Sequence, residues 1–246
     1  MERIHNSEDT PAPSSFDTLA KMPSFEQFRE EQSFTPEPFE DSEFAAHLKD
    51  DAYGYDAQDL LPDLPDETPQ ILWRGERAYL GNIDQVGQRP LTTAGHERAG
   101  NRHGQRLSTS RDKYFAYTYA IGTDGVKFYD QPLSAEEIPI GVIYRINNRD
   151  NHLDMSSDDD VDGYFVKQQR EYTTPGEIPA QDYEATAFIL MDDLIQFNQR
   201  SDFRRPLEVF PVDHKRYQSD KTYLPKLIQA VKKRHLELAS RRSLSE

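Results

Sequence analysis

The chain has 246 residues, only 35% of them hydrophobic, with no cysteine and a formal net charge of −15. That length allows one sizeable domain, or a domain with an arm, and the low apolar content implies that part of the chain does not pack. Disulfides and thiolate metal sites are excluded, and the sequence shows neither an apolar run for a membrane span nor the pattern of a signal peptide.

In chain order, residues 1–69 read as an acidic, proline-containing, largely disordered N-terminal arm. Residues 1–70 hold 18 acidic and 4 basic residues and half of the 16 prolines, so the remaining 176 residues are near neutral. The body therefore exerts no general pull on nucleic acid. Phe25, Phe28, Phe34, Phe39 and Phe44 are unusual for an inert linker; such anchors dock on a partner or on the protein's own body. Within the arm, "SFEQFREE" predicts one or two helical turns capped by Ser24.

The folded body begins near Pro69. "QILWR" predicts a buried strand, residues 78–87 a short helix or turn, and 88–106 a polar loop. "RLSTS" predicts a short strand ending in hydroxyls. A helix over 111–121 follows, with Ser110 as cap, Tyr114, Tyr117 and Ile121 on one face, and Gly122 as its stop. "IPIGVIYRIN" is the most β-branched strand pattern, and residues 168–174, 183–190 and 206–212 predict three more strands. The last element is an amphipathic helix over 220–239, with Leu224, Leu227, Ile228, Val231 and Leu238 at helical spacing and Leu236 close to them. Residues 213–246 carry 9 basic and 4 acidic residues. Strand-rich segments with few helices predict an α+β fold rather than a doubly wound parallel one.

Most chemical motifs are missing. The seven histidines are scattered, with no HExxH pair, and "SSDDDVDG" lacks the spacing and the twelfth-position acid of a calcium loop, so no metal site is expected. Phosphate-binding glycine loops and the G-x-S-x-G elbow are also absent. What remains is "LWRG" at 72–75, "LSTS" at 107–110 and "QREYTTPGEIP" at 169–179. Each has an ordinary reading alone: a surface charge, a helix cap, a solvent-facing glutamate.

Taken in this order on strand-like segments, the three resemble the signature of ADP-ribosyltransferases of the cholera-toxin and heat-labile-enterotoxin type. That family has an Arg at the end of its first strand, a Ser-Thr-Ser strand, and a Glu on a later strand followed by Gly-x-Ile-Pro. Here the matching residues are Arg74, Ser108-Thr109-Ser110 and Glu171, with Gly176–Pro179 as the tail. "GVIYRI" stands where the family has its central strand, and "GHERAG" resembles a histidine-containing loop, which adds His96. The resemblance covers about residues 70–200 and implies an ADP-ribosyltransferase-like split β-sandwich with short flanking helices. Residues 70–212 would then be the catalytic domain, with 213–246 a basic helix and tail packed on it or extending from it.

The resemblance implies NAD as co-substrate and transfer of one ADP-ribose to a side chain of a host protein. Cleavage of the nicotinamide–ribose bond passes through an oxocarbenium-like state, and nicotinamide is already a cationic leaving group. A fixed negative charge and a grip on the dinucleotide therefore matter more than an acid. Glu171 would supply the charge, accepting a hydrogen bond from a ribose hydroxyl. Arg74, with Gly75 beside it, would grip the phosphates as a fork. Ser108 and Ser110 would orient Glu171 and the ribose, while Thr109 points to the core. His96 would be a weaker NAD contact.

One departure concerns Gln169. The arginine-modifying members have Glu-x-Glu, whereas this chain has Gln-Arg-Glu, a pattern typical of members that modify amide side chains or guanine. Gln169 would select the nucleophile through hydrogen bonds, and Tyr164 and Phe165 would form either an aromatic platform or core. The cysteine pair of the secreted AB-type toxins is missing. The expectation is a bacterial effector exported without a signal peptide and acting in the host cytosol, whose arm docks a secretion chaperone. A transferase acting on guanine in nucleic acid, or a non-catalytic binding module, stands as the alternative.

Overall fold

A computed structural model of the chain describes residues 22–45, 69–92, 106–122, 133–148, 153–154, 171–175, 177–197 and 202–242, with the backbone alone at 106, 153–154, 171–175, 197, 202 and 242. Helix α1 (Phe25–Gln32) opens on the predicted cap. Gln27 N donates to Ser24 Oγ at 3.3 Å, Ser24 N donates back to Gln27 Oε1 at 2.8 Å, and the helix ends at Ser33 in a left-handed conformation. Strand β1 (Glu37–Pro38) and a 3-10 turn at Phe39–Asp41 follow. The body then runs β2 (Ile71–Ala78), β3 (Arg106–Ser110), α2 (Lys113–Ile121), β4 (Ile140–Asn147), β5 (Leu153–Asp154), β6 (Glu171–Pro175), β7 (Tyr183–Phe197), β8 (Asp202–Pro211), α3 (His214–Ser219) and α4 (Tyr223–Arg242).

The fold is α+β, with helices packed on an antiparallel sheet. The eight described strands lie in the order β1-β8-β7-β4-β2-β3-β6-β5. Ladder β2/β4 is long, running from Ile71↔Asn147 to Ala78↔Ile140, whereas among the described residues β2 meets β3 at the single pair Trp73↔Ser110. The sheet therefore narrows to one paired position between a five-stranded half and a three-stranded half (β3, β6, β5).

Strand alternation divides the core into two layers. Leu72, Val142, Tyr144, Ile146 and Phe188 lie in the cluster that α4 closes with Leu227, Ile228 and Val231; Ile143, Ile189 and Val209 lie in a second cluster with Ala116, Tyr117, Ala120 and Ile121 of α2. Helix α2 can approach because β2 and β4 present Gly75 and Gly141 beneath it: a Cβ on Gly75 would fall 1.6 Å from Ala116 O.

Two expectations need correction, and two hold with added detail. Residues 22–45 of the arm are folded onto the body, with Phe25, Phe34, Phe39 and Phe44 all buried, because these rings pack against Phe210, Tyr223 and Tyr117 of the body. The helix after the Ser-Thr-Ser strand begins at Lys113, and its cap is Asp112, which accepts from Tyr114 N at 2.8 Å; Ser110 Oγ instead accepts from Asp112 N at 2.9 Å. The helix predicted over 220–239 is α4, which starts at Tyr223, and a separate short helix α3, capped by Asp213, precedes it. Gly122 ends α2 as expected, its N–H donating to the Thr118 carbonyl, with a φ of −59°.

Candidate functional site

The three motif segments fall on three successive strands of the sheet. Arg74 lies on β2, Ser108–Ser110 on β3, and Glu171 opens β6. Ser110 is the Cα partner of Trp73 on one side and of Glu171 on the other, while Thr109 pairs with Tyr172 and Ser108 with Thr173. The register thus brings Ser110 and Glu171 to one row of the sheet, directly beside the position where its two halves join.

Arg74 follows Trp73, so its side chain leaves from the opposite face; were the ladder continued, it would stand opposite Thr109. Its guanidinium is held from two sides. Nε donates to Glu76 Oε1 at 2.7 Å, and Nη1 donates to the Ser108 carbonyl at 2.6 Å. The Arg74 and Glu76 side chains are only 10% and 21% exposed. Beside them lies Tyr144, the cross-strand partner of Arg74, edge-on to Tyr183 at 5.2 Å. Burial pushes the Tyr144 phenol well above its ordinary range. Glu76 and Tyr183 add to this, and Arg89 and Arg74 oppose it. Burial likewise raises Tyr183 to about 12, and its hydroxyl donates to the Arg89 carbonyl.

Strand β3 buries Leu107 and Thr109 on one side, and Ser110 is buried as well. Ser110 is thus both a turn acceptor for Asp112 N and the residue in register with Glu171. Gly75 carries a packing requirement of its own, since the backbone of α2 occupies the space of any side chain there. His96, Gln169, Tyr164 and Phe165 lie outside the described residues.

Two features escaped sequence reasoning. Glu76 is the partner that orients Arg74, and its signal was present: on a strand, i and i+2 share a face. The row through Trp73 also continues to Arg145 and then Glu184, where Arg145 Nη1 donates to Glu184 Oε1 at 2.8 Å and His214 Nδ1 lies 3.0 Å from Oε2. That grouping depends on three long-range pairings and has no local signal.

Among the described residues, no cluster of three or more His, Asp or Glu could hold a metal ion, and no helix is long and apolar enough to cross a membrane. No protein-family model matches the chain, and a search of curated proteins finds no match.

Proposed function

We propose that the chain is a mono-ADP-ribosyltransferase whose NAD site is built from Arg74, Ser108–Ser110 and Glu171 on a split β-sandwich. The observation that supports this reading is the register. Three motifs far apart in sequence lie on adjacent strands, with Ser110 opposite Glu171 in register and Arg74, whose side chain leaves β2 on the other face, bonded to the Ser108 carbonyl. The sheet's narrowing to Trp73↔Ser110 is what a split sandwich would need in order to open a cleft between its halves.

In this reading the C1′–N bond of NAD breaks, and nicotinamide leaves with the bonding electron pair as a neutral molecule. An acceptor nucleophile then bonds C1′ and gives up its proton. Glu171 stabilises the cationic sugar through a ribose hydroxyl, and Arg74, pre-oriented by Glu76, grips the pyrophosphate. Gln169, without charge, aligns the acceptor by hydrogen bonds. The acceptor is a host-protein side chain, and the chain acts as a bacterial effector in the host cytosol.

The test is incubation with labelled NAD and cell lysate, run in parallel with Glu171→Ala. Label on a protein band that disappears in the variant is the expected result. Label on nucleic acid instead would select the guanine-modifying alternative, and absence of both NAD binding and NAD consumption would overturn the proposal.

A further inference from the structure

Residues 22–45 cross from one face of the sheet to the other. On the first face Phe25 packs edge-on against Phe210 at 5.8 Å, and its N–H donates to Glu237 Oε1 at 3.1 Å. Phe34 meets Tyr223, and Arg216 lies over both rings while donating to the Gln32 carbonyl at 2.9 Å. The segment then pairs with edge strand β8 at two positions only, Glu37↔Val209 and Pro38↔Glu208. On the second face Phe39 and Phe44 both stack on Tyr117 of α2, with centroids 5.7 Å and 4.9 Å away.

This second anchorage leads to the join of the sheet. Glu43 forms an ion pair with Lys113, the first residue of α2. Lys113 Nζ lies 5.2 Å from the centroid of Phe44 and 5.2 Å from that of Trp73. Trp73 is the β2 residue that pairs with β3 at Ser110. A continuous set of contacts therefore runs from Glu43 and Phe44, through Lys113 and Trp73, to the position that links the two halves.

The anchorage also carries opposing terms. Glu37, Glu40, Asp41 and Glu43 crowd seven residues, and burial, followed by repulsion from Glu43 and Asp41, holds the Glu37 carboxyl above its ordinary value. The Tyr117 hydroxyl is buried and has no hydrogen-bond partner among the described residues. A segment held by two rings, one ion pair and a two-residue strand, and opposed by like charges, belongs to the low-stability end of a structure.

We infer that residues 37–45 form a releasable clamp on the β2/β3 join: seated, they hold Trp73 against Ser110 and so keep Arg74 and Glu171 in one geometry, and released, they switch the site off. The effect on turnover rests on the ADP-ribosyltransferase reading; the effect on the join does not. Two full-length variants test it. Phe39→Ala with Phe44→Ala removes the rings, and Lys113→Met removes the ionic link while retaining an apolar stem over Trp73. Amide hydrogen exchange, followed by mass spectrometry, reads each strand separately. In both variants, exchange at 71–78, 106–110 and 171–175 should accelerate about tenfold while 187–190 and 227–231 stay near native, and NAD consumption should fall by about the same factor. Acceleration confined to 37–45, or spread evenly over all strands, overturns the clamp. If the native chain neither binds nor consumes NAD yet exchange responds at the join, the enzyme reading falls and the clamp stands. If NAD is consumed but the join does not respond, the clamp falls and the enzyme reading stands.

Discussion

Arg74 donates to the carbonyl of Ser108 at 2.6 Å, and this bond crosses the sheet where β2 and β3 share just one backbone pair. A side chain thus supplements the ladder at its narrowest place. Glu76 fixes the guanidinium from the other side. Glu76→Gln should therefore weaken more than one thing at once. Replacing the carboxylate by an amide takes the charge out of a largely buried, hydrogen-bonded pair, at about 2 kcal/mol, read as a lower urea midpoint at unchanged slope. If Arg74 grips the pyrophosphate, the same variant should raise KM for NAD more than it lowers kcat.

Gly75→Ala should be among the most damaging single-methyl changes in the chain. The new Cβ would lie 1.6 Å from Ala116 O and 2.8 Å from Ala120 N, both backbone atoms, so α2 itself must move. Destabilisation of about 3 kcal/mol or more follows. Gly141→Ala, where the nearest atoms stand at 3.2 Å, should cost about 1 kcal/mol. Thermal unfolding of the two variants side by side checks the ranking, and an equal loss would contradict the close approach of α2 to β2.

Tyr117→Phe should stabilise the protein. The hydroxyl is buried, lacks a partner among the described residues, and sits among stacked rings that Phe would keep. Deleting an unsatisfied group recovers about 1 kcal/mol, or about 2–4 °C in Tm for a chain of this size. A lower Tm would show that the hydroxyl does have a partner.

Alkaline pH should unfold the chain early. Burial raises the phenols of Tyr117 and Tyr144 above their ordinary range and Tyr183 to about 12. Between pH 10 and 12 the folded state therefore binds more protons than the unfolded one. The stability these groups supply is complete below about 10 and is lost as pH rises through the folded values. Denaturation midpoints should fall steeply in that window, with tyrosinate absorbance rising in step with loss of structure. Phenols that ionise near pH 10 while the fold persists would refute this.

Much of the local architecture was legible in the chain. The cap at Ser24, the β-branched run of β4 and the apolar stripe of α4 are short-range patterns, and each produced the element it implies. The candidate segments around Arg74, Ser110 and Glu171 were also visible, because their residue types and order needed no partner to be noticed. Residues 22–45 were half legible: their five phenylalanines marked them as something that docks, yet their acids and prolines argued for disorder. Asp112 displaced Ser110 as the helix cap for a similar reason, since both residue types suit that role and backbone geometry decides between them.

The sequence by itself determined the periodicities, the caps and the three motif segments, because those depend on neighbours within a few residues. Only the tertiary structure decided which strands lie side by side. Trp73 opposite Ser110, Ser110 opposite Glu171, and Lys113 between Glu43 and Trp73 are pairings across long stretches of chain. Their partners are chosen by which faces must be buried together and by where α2 can settle over Gly75, and no local propensity records that choice.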